Sequence, residues 1–100
     1  MSELVNHPSH YNKAGRKECI VEMEEKYGSE NTVIFCLTNA YKYLYRSGDK
    51  DGNPKQQDLQ KATWYFDYAN RLLKKHKGLW NVRYMRLYKD IMEMLNKCES

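Results

Sequence analysis

The sequence predicts an all-α protein, a small bundle of about four helices behind an extended N-terminal arm. Three observations carry this. Apolar residues recur at three- and four-residue spacing over most of the chain. Glycines and one proline punctuate those stretches at Gly28, Gly48, Pro54 and Gly78. No run alternates apolar and polar residues for long enough to make a strand.

Residues 1–15 lack helical periodicity, and Pro8 pushes His7 toward an extended backbone. This is the predicted arm. The family core is expected over residues 16–77 and a C-terminal helix over residues 78–100, all within one domain. The first helix is expected over Lys17–Tyr27, with Cys19, Ile20, Met23 and Tyr27 inward and Gly28 as its C-cap. Ser29 is the expected N-cap of a second helix, Glu30–Ser47, whose stripe is Val33, Leu37, Ala40, Tyr41 and Leu44. Gly48 ends it. A third helix opens near Pro54 and runs to Lys77 on a stripe of Leu59, Ala62, Phe66, Ala69 and Leu73. Trp64 lies off that stripe and should meet another helix or another subunit. Gly78 ends this helix. The fourth, Trp80–Lys97, carries Val82, Met85, Tyr88, Met92 and Leu95, widened by Leu79, Trp80, Leu87, Ile91 and Met94. So broad an apolar surface on a terminal helix points to a homo-oligomer contact.

One hundred residues with 41% hydrophobic and 30% charged content make one folded domain with a modest core. Nine tyrosines and two tryptophans are many for this length, and such residues are favoured at interfaces and ligand pockets. The net charge of +4 favours anionic partners. The nearest basic run, Lys74-Lys75-His76-Lys77, is explained by a helix C-terminus, so nucleic acid is not the expected partner. Three widely spaced cysteines without a CxxC pair read as reduced thiols in a cytoplasm. No signal peptide and no membrane span is visible; the longest apolar run, Val33–Leu37, is far too short.

The chemistry concentrates at the junction of helices two and three. Asn39, Lys42, Tyr43 and Arg46 share one helix face, and Lys50 follows just beyond it. Asp58, Lys61 and Tyr65 share a face of the next helix. Two such faces meeting across a loop make a cationic cup with one acid in it. Arg and Lys form charge-assisted hydrogen bonds to phosphate oxygens, so the cup suits a phosphate-bearing ligand. The competing reading is an ordinary solvated face near a helix C-terminus. In the arm, His7, His10 and Tyr11 fall within five residues. They read as donors to an anion or as acid–base groups, since histidine titrates near neutrality. They read less well as zinc ligands, because two histidines have no partner pair at a metal spacing. Glu22, Glu24 and Glu25 cluster on the first helix, but a magnesium site of that kind needs a second acidic pair, and the later helices offer only scattered acids. The cluster reads as solvated, with no metal and no cofactor expected. No P-loop, Rossmann fingerprint or nucleophile elbow is present.

Several blocks occur together and in order. They are Asn6-His7-Pro8-Ser9-His10-Tyr11, then Glu18-Cys19-Ile20, and then Phe35-Cys36-Leu37 with Asn39, Lys42, Tyr43, Leu44, Arg46, Gly48 and Lys50. Asp58-Leu59, Lys61-Ala62 and Trp64-Tyr65 follow. This set resembles a family of small bacteriophage proteins catalogued as a domain of unknown function. It is similar also to the C-terminal part of the nucleotide kinase of a T-odd coliphage. The likeness runs from about Val5 to Leu72. It implies a phage protein acting in the cytoplasm of an infected bacterium on a nucleotide or nucleotide derivative. The residues it implies are the ones named above, in the arm and in the cup.

Three functions are compatible with this. The favoured one is a binding module that sequesters a nucleotide-type immune signal, cyclic dinucleotide or ADP-ribose-like, and so counters host defence. In it Lys42, Arg46 and Lys50 hold phosphates, His7 or His10 adds donors, and Tyr11, Tyr43 or Tyr65 stacks on a base. The second is an enzyme. It either transfers a phosphoryl group, with Asp58 orienting the acceptor, or cleaves a phosphodiester with His7 and His10 as base and acid. The third is a host-protein binder that uses Trp64, Trp80 and the fourth helix.

Overall fold

The computed structural model describes residues 18–47, 55–79 and 84–99. All regular structure among them is helical: α1 (Cys19–Tyr27), α2 (Ser29–Tyr45), α3 (Lys55–Lys75), a short 3-10 turn (Lys77–Leu79) and α4 (Met85–Glu99). The arm, Gly48, Pro54, Trp80 and Val82 lie outside the described residues.

α2 is the hub. It packs most extensively on α3 and also meets α4 and α1. The reason is its apolar breadth: Val33, Cys36, Leu37, Ala40 and Leu44 are all buried. Each large aliphatic side chain so buried contributes about 1.5–3 kcal/mol. Tyr41, expected inward, is instead 38% exposed, and Thr32 and Cys36 take the inward places. Thr32 tolerates burial because its hydroxyl donates to the Gly28 carbonyl at 3.0 Å.

The α1–α2 junction differs from expectation in one detail. Gly28 does close α1, donating its N–H to the Glu24 carbonyl at 2.9 Å. Its φ of 95° is a backbone region that side chains with a Cβ rarely adopt. That same Gly28, not Ser29, is the N-cap of α2. Ser29 is the first helical residue, and its hydroxyl donates to Glu24 Oε2 at 2.9 Å. α1 is also more superficial than its sequence implied. Ile20 is buried, but Cys19 is exposed and Tyr27 is 67% exposed.

α3 keeps its expected stripe, with Leu59 at the half-buried rim and Tyr68 and Leu72 added inside. It stops at Lys75, before Gly78, which sits within the 3-10 turn. In α4, Tyr88 and Leu95 of the expected stripe and Leu87, Ile91 and Met94 of its wider face pack inward, whereas Met85 and Met92 do not. Tyr84 and Ile91 are buried, with Leu87, Tyr88, Met94, Leu95 and Cys98 packed against the core. Met85 and Met92 face out. Two tyrosine hydroxyls find partners on this inner face. Tyr84 donates to the Leu79 carbonyl and Tyr88 to Asn70 Oδ1, while the Tyr88 ring lies 4.9 Å from that of Phe66. An apolar stripe drawn from hydropathy alone undervalues tyrosines that bury a ring and satisfy a hydroxyl.

Cys36 sits in the middle of this core, and burial pushes its thiol from 9.0 up to about 12. Two outcomes follow. In the native protein an alkylating reagent at pH 8 should modify exposed Cys19 and spare Cys36, read by peptide mass spectrometry. Above pH 9 the unfolded chain releases this proton while the folded one retains it. The stabilisation is therefore complete below pH 9 and is lost progressively toward pH 12, at about 1.4 kcal/mol per pH unit. Burial raises Tyr65 and Tyr68 from 10.0 as well. Urea titrations of Cys36→Ala should lose the portion that begins at pH 9 and keep the portion that begins at pH 10.

Candidate functional site: a cationic cluster on a tyrosine pair

The last turns of α2 and the third turn of α3 meet at two stacked rings. Tyr43 and Tyr65 have centroids 6.0 Å apart and an interplanar angle of 11°. Phe35, two helical turns before Tyr43, meets Tyr65 edge-on at 5.9 Å and 81°. Trp64 meets it at 5.0 Å and 90°. Trp64 also lies 5.5 Å from Tyr68, so it closes the aromatic layer along α3. The layer fixes the relative position of the two helices just where their charged residues project.

Three cations converge on the Tyr43 ring. Lys42 Nζ is 4.6 Å from its centroid, Arg46 Cζ 5.3 Å and Lys61 Nζ 5.4 Å. Lys42 comes from the last turn of α2, Arg46 from the residue that follows that helix and Lys61 from α3, so the cup joins both helices. No carboxylate pairs with any of the three among the described residues. Arg46 follows the last residue of α2 in a turn conformation, φ −96° and ψ 10°. Its Nε and the Oγ of Ser47, the next residue, are buried and have no hydrogen-bond partner among the described residues. Buried polar atoms without partners on two successive residues are uncommon, because each costs about 1–3 kcal/mol.

The remaining expected residues behave differently from one another. Asn39 is half-buried, and its Nδ2 donates to the Phe35 carbonyl at 2.9 Å, so that part of the amide is bound to its own helix. Asp58 is fully buried and engaged within the protein. As placed, it is a support on the inner side of α3 and has no surface with which to touch a ligand. Burial raises Tyr65 above 10.0, so its hydroxyl stays a neutral donor near pH 7. His7, His10, Tyr11 and Lys50 lie outside the described residues. Sequence reasoning missed Phe35 and Ser47. Phe35 stands four residues before Asn39 and eight before Tyr43, on the same face, so spacing had marked it. Ser47 carried no such mark.

The glutamates of α1 are spoken for locally. Glu22 pairs with Lys26 at 3.1 Å, and Glu24 holds Ser29 and lies 4.0 Å from His76 Nε2. Among the described residues no group of three or more His, Cys, Asp or Glu is arranged to hold a metal ion. Among them, too, no helix is long and apolar enough to cross a membrane.

Fold and cluster together define a small helical protein with a cation-on-aromatic surface at one helix junction. The chain belongs to the family described as protein of unknown function (DUF3310), whose model matches residues 5–67. The matched segment takes in α1, α2 and the part of α3 that carries Lys61 and Tyr65, and it leaves α4 outside. No curated protein and no solved structure matches the chain.

Proposed function

We propose that this protein binds a nucleotide or nucleotide-derived anion, and that it acts by holding the ligand rather than by transforming it. One observation carries the reading: Lys42, Arg46 and Lys61 gather on one tyrosine with no carboxylate pairing to them among the described residues. No two of the three lie more than about 11 Å apart, so each pair repels by at least roughly 0.4 kcal/mol at an effective dielectric of 80 and at least roughly 1.5 kcal/mol at 20. A cation–π contact at a surface returns about 0.5–1 kcal/mol. The two effects nearly cancel, and the cluster gains most when an anion joins it.

Holding is favoured over chemistry because Asp58, the one acid at the cup, is fully buried. The phage resemblance extends this reading to a protein in the cytoplasm of an infected bacterium that sequesters a nucleotide immune signal. Met85 and Met92, exposed on α4, support a homo-oligomer contact there.

The test is to incubate purified protein with mononucleotides, cyclic dinucleotides and ADP-ribose derivatives, separate it from solution, and denature it to release what it holds. Intact ligand recovered from the protein is the expected result, together with a rise in melting temperature. At one hundred times Kd the stabilisation is about 2.7 kcal/mol. Altered product free in solution would make the protein an enzyme, and an empty protein across the whole panel would end the nucleotide reading.

A further inference from the structure

We infer that the Lys42–Arg46–Lys61 cluster reads a linear diphosphate group and is indifferent to the base attached to it. This rests on the anion-binding function proposed above and narrows it. Two independent features lead here.

The first is charge. A phosphate monoester carries about −1.5 to −2 at pH 7 and leaves at least one of three cations unmatched; a second linked phosphate adds the missing charge. The two single charges of a cyclic dinucleotide stand on opposite sides of a ring, and the cluster can meet only one of them. Arg46 with its flat guanidinium suits one phosphate as a fork, and a lysine on either helix suits the other as a point charge. Arg46 Nε and Ser47 Oγ, buried and without partners among the described residues, are further donors on the same turn.

The second is the state of the aromatic rings. A base is recognised without sequence preference by stacking on an open aromatic face. Here the described rings of the cup are already engaged. Tyr43 stacks on Tyr65 and carries the three cations, and Tyr65 meets Phe35 and Trp64 at right angles. A base entering this layer must displace a cation or part the Tyr43–Tyr65 stack. The tyrosines therefore hold the cations in place, and the cations hold the ligand.

Isothermal titration with inorganic phosphate, pyrophosphate, AMP, ADP, GDP, CDP, UDP, ADP-ribose and cyclic di-AMP tests this directly. Pyrophosphate and the four nucleoside diphosphates should bind within about threefold of one another and at least tenfold more tightly than AMP, inorganic phosphate or cyclic di-AMP. Lys61→Ala should bring ADP down to about the affinity of AMP, and Lys61→Arg should restore most of the difference. Lys61 is only half-buried, so circular dichroism should show the variant folded. A preference of about tenfold or more for one base overturns the inference, as does AMP or cyclic di-AMP binding as tightly as ADP. In those cases the nucleotide reading stands. Failure of every probe overturns the inference and the function beneath it together.

Discussion

Asp58→Ala is expected to destabilise the protein by about 3 kcal/mol, the scale for removing one member of a buried, engaged charged group. For a domain of this size that corresponds to a fall in melting temperature of at least about 10 °C. The side chain is 0% exposed, and with Thr32 it is the only buried polar or charged one among the described residues. A carboxylate is not carried into a helical core without interactions that balance its lost hydration. Asp58 has such interactions. It also stands in the first turn of α3, where the helix dipole favours a negative charge. One turn further along, Lys61 reaches the tyrosine pair. A residue so placed fixes the start of α3, and through it the height at which Lys61 enters the cup. Asp58→Asn keeps the shape and removes the charge. It should lose part of the same stability and, once folded, retain ligand binding. Urea unfolding followed by circular dichroism measures the first effect, and titration with ADP measures the second. If Asp58→Ala melts within about 2 °C of the unaltered protein, the supporting role is wrong. If Asp58→Asn is fully stable and loses turnover of a nucleotide, Asp58 belongs to an enzyme after all.

Asp58 also shows where sequence reasoning reaches and where it stops. Helical spacing placed Lys42, Tyr43, Arg46, Lys61 and Tyr65 on two faces that do come together, because periodicity fixes which side chains share a face. The same periodicity put Asp58 on a face with Lys61 and Tyr65, but it could not say that the acid end of that face turns inward. Depth depends on how closely α2 approaches α3; Ala40 and Ala62, both on the expected stripes, are fully buried, but spacing along one helix does not give that distance. The aromatic layer was half legible. Tyr43 and Tyr65 were both candidates for stacking on a ligand, whereas in the fold they stack on each other. Nothing in two separate helices reveals that pairing before the interhelical register is known. α4 shows the reverse case. Its amphipathic character was plain, and Tyr88, Leu95, Leu87, Ile91 and Met94 do pack inward, but Met85 and Met92 face out and Tyr84, whose hydroxyl reaches the Leu79 carbonyl, takes an inward place that hydropathy ignores.

Arg46→Ala should weaken binding of a diphosphate ligand by about 10- to 100-fold, the loss expected when charge-assisted hydrogen bonds of roughly 1.5–3 kcal/mol are removed. The ligand-free protein should be little affected, with a melting temperature within about 4 °C of the original. The two halves of this expectation separate the two roles open to the residue. Arg46 follows directly on the end of α2, where a cation stabilises the helix dipole by about 0.3–1 kcal/mol. If that were its purpose, the alanine variant would melt lower and bind as before. In the cluster, its contact with Tyr43 at 5.3 Å is offset by repulsion from Lys42 and Lys61 on the same ring. Removing it therefore costs the free protein little and leaves the ligand short of a partner. Arg46→Lys retains the charge and gives up the fork, so it should fall between the two. Salt supplies an independent check. Affinity should drop as ionic strength rises, and the dependence should be shallower in Arg46→Ala, because one fewer charge is engaged. A salt dependence unchanged by the substitution would mean that Arg46 never met the anion, and the cup would have to be rebuilt around Lys42 and Lys61 alone.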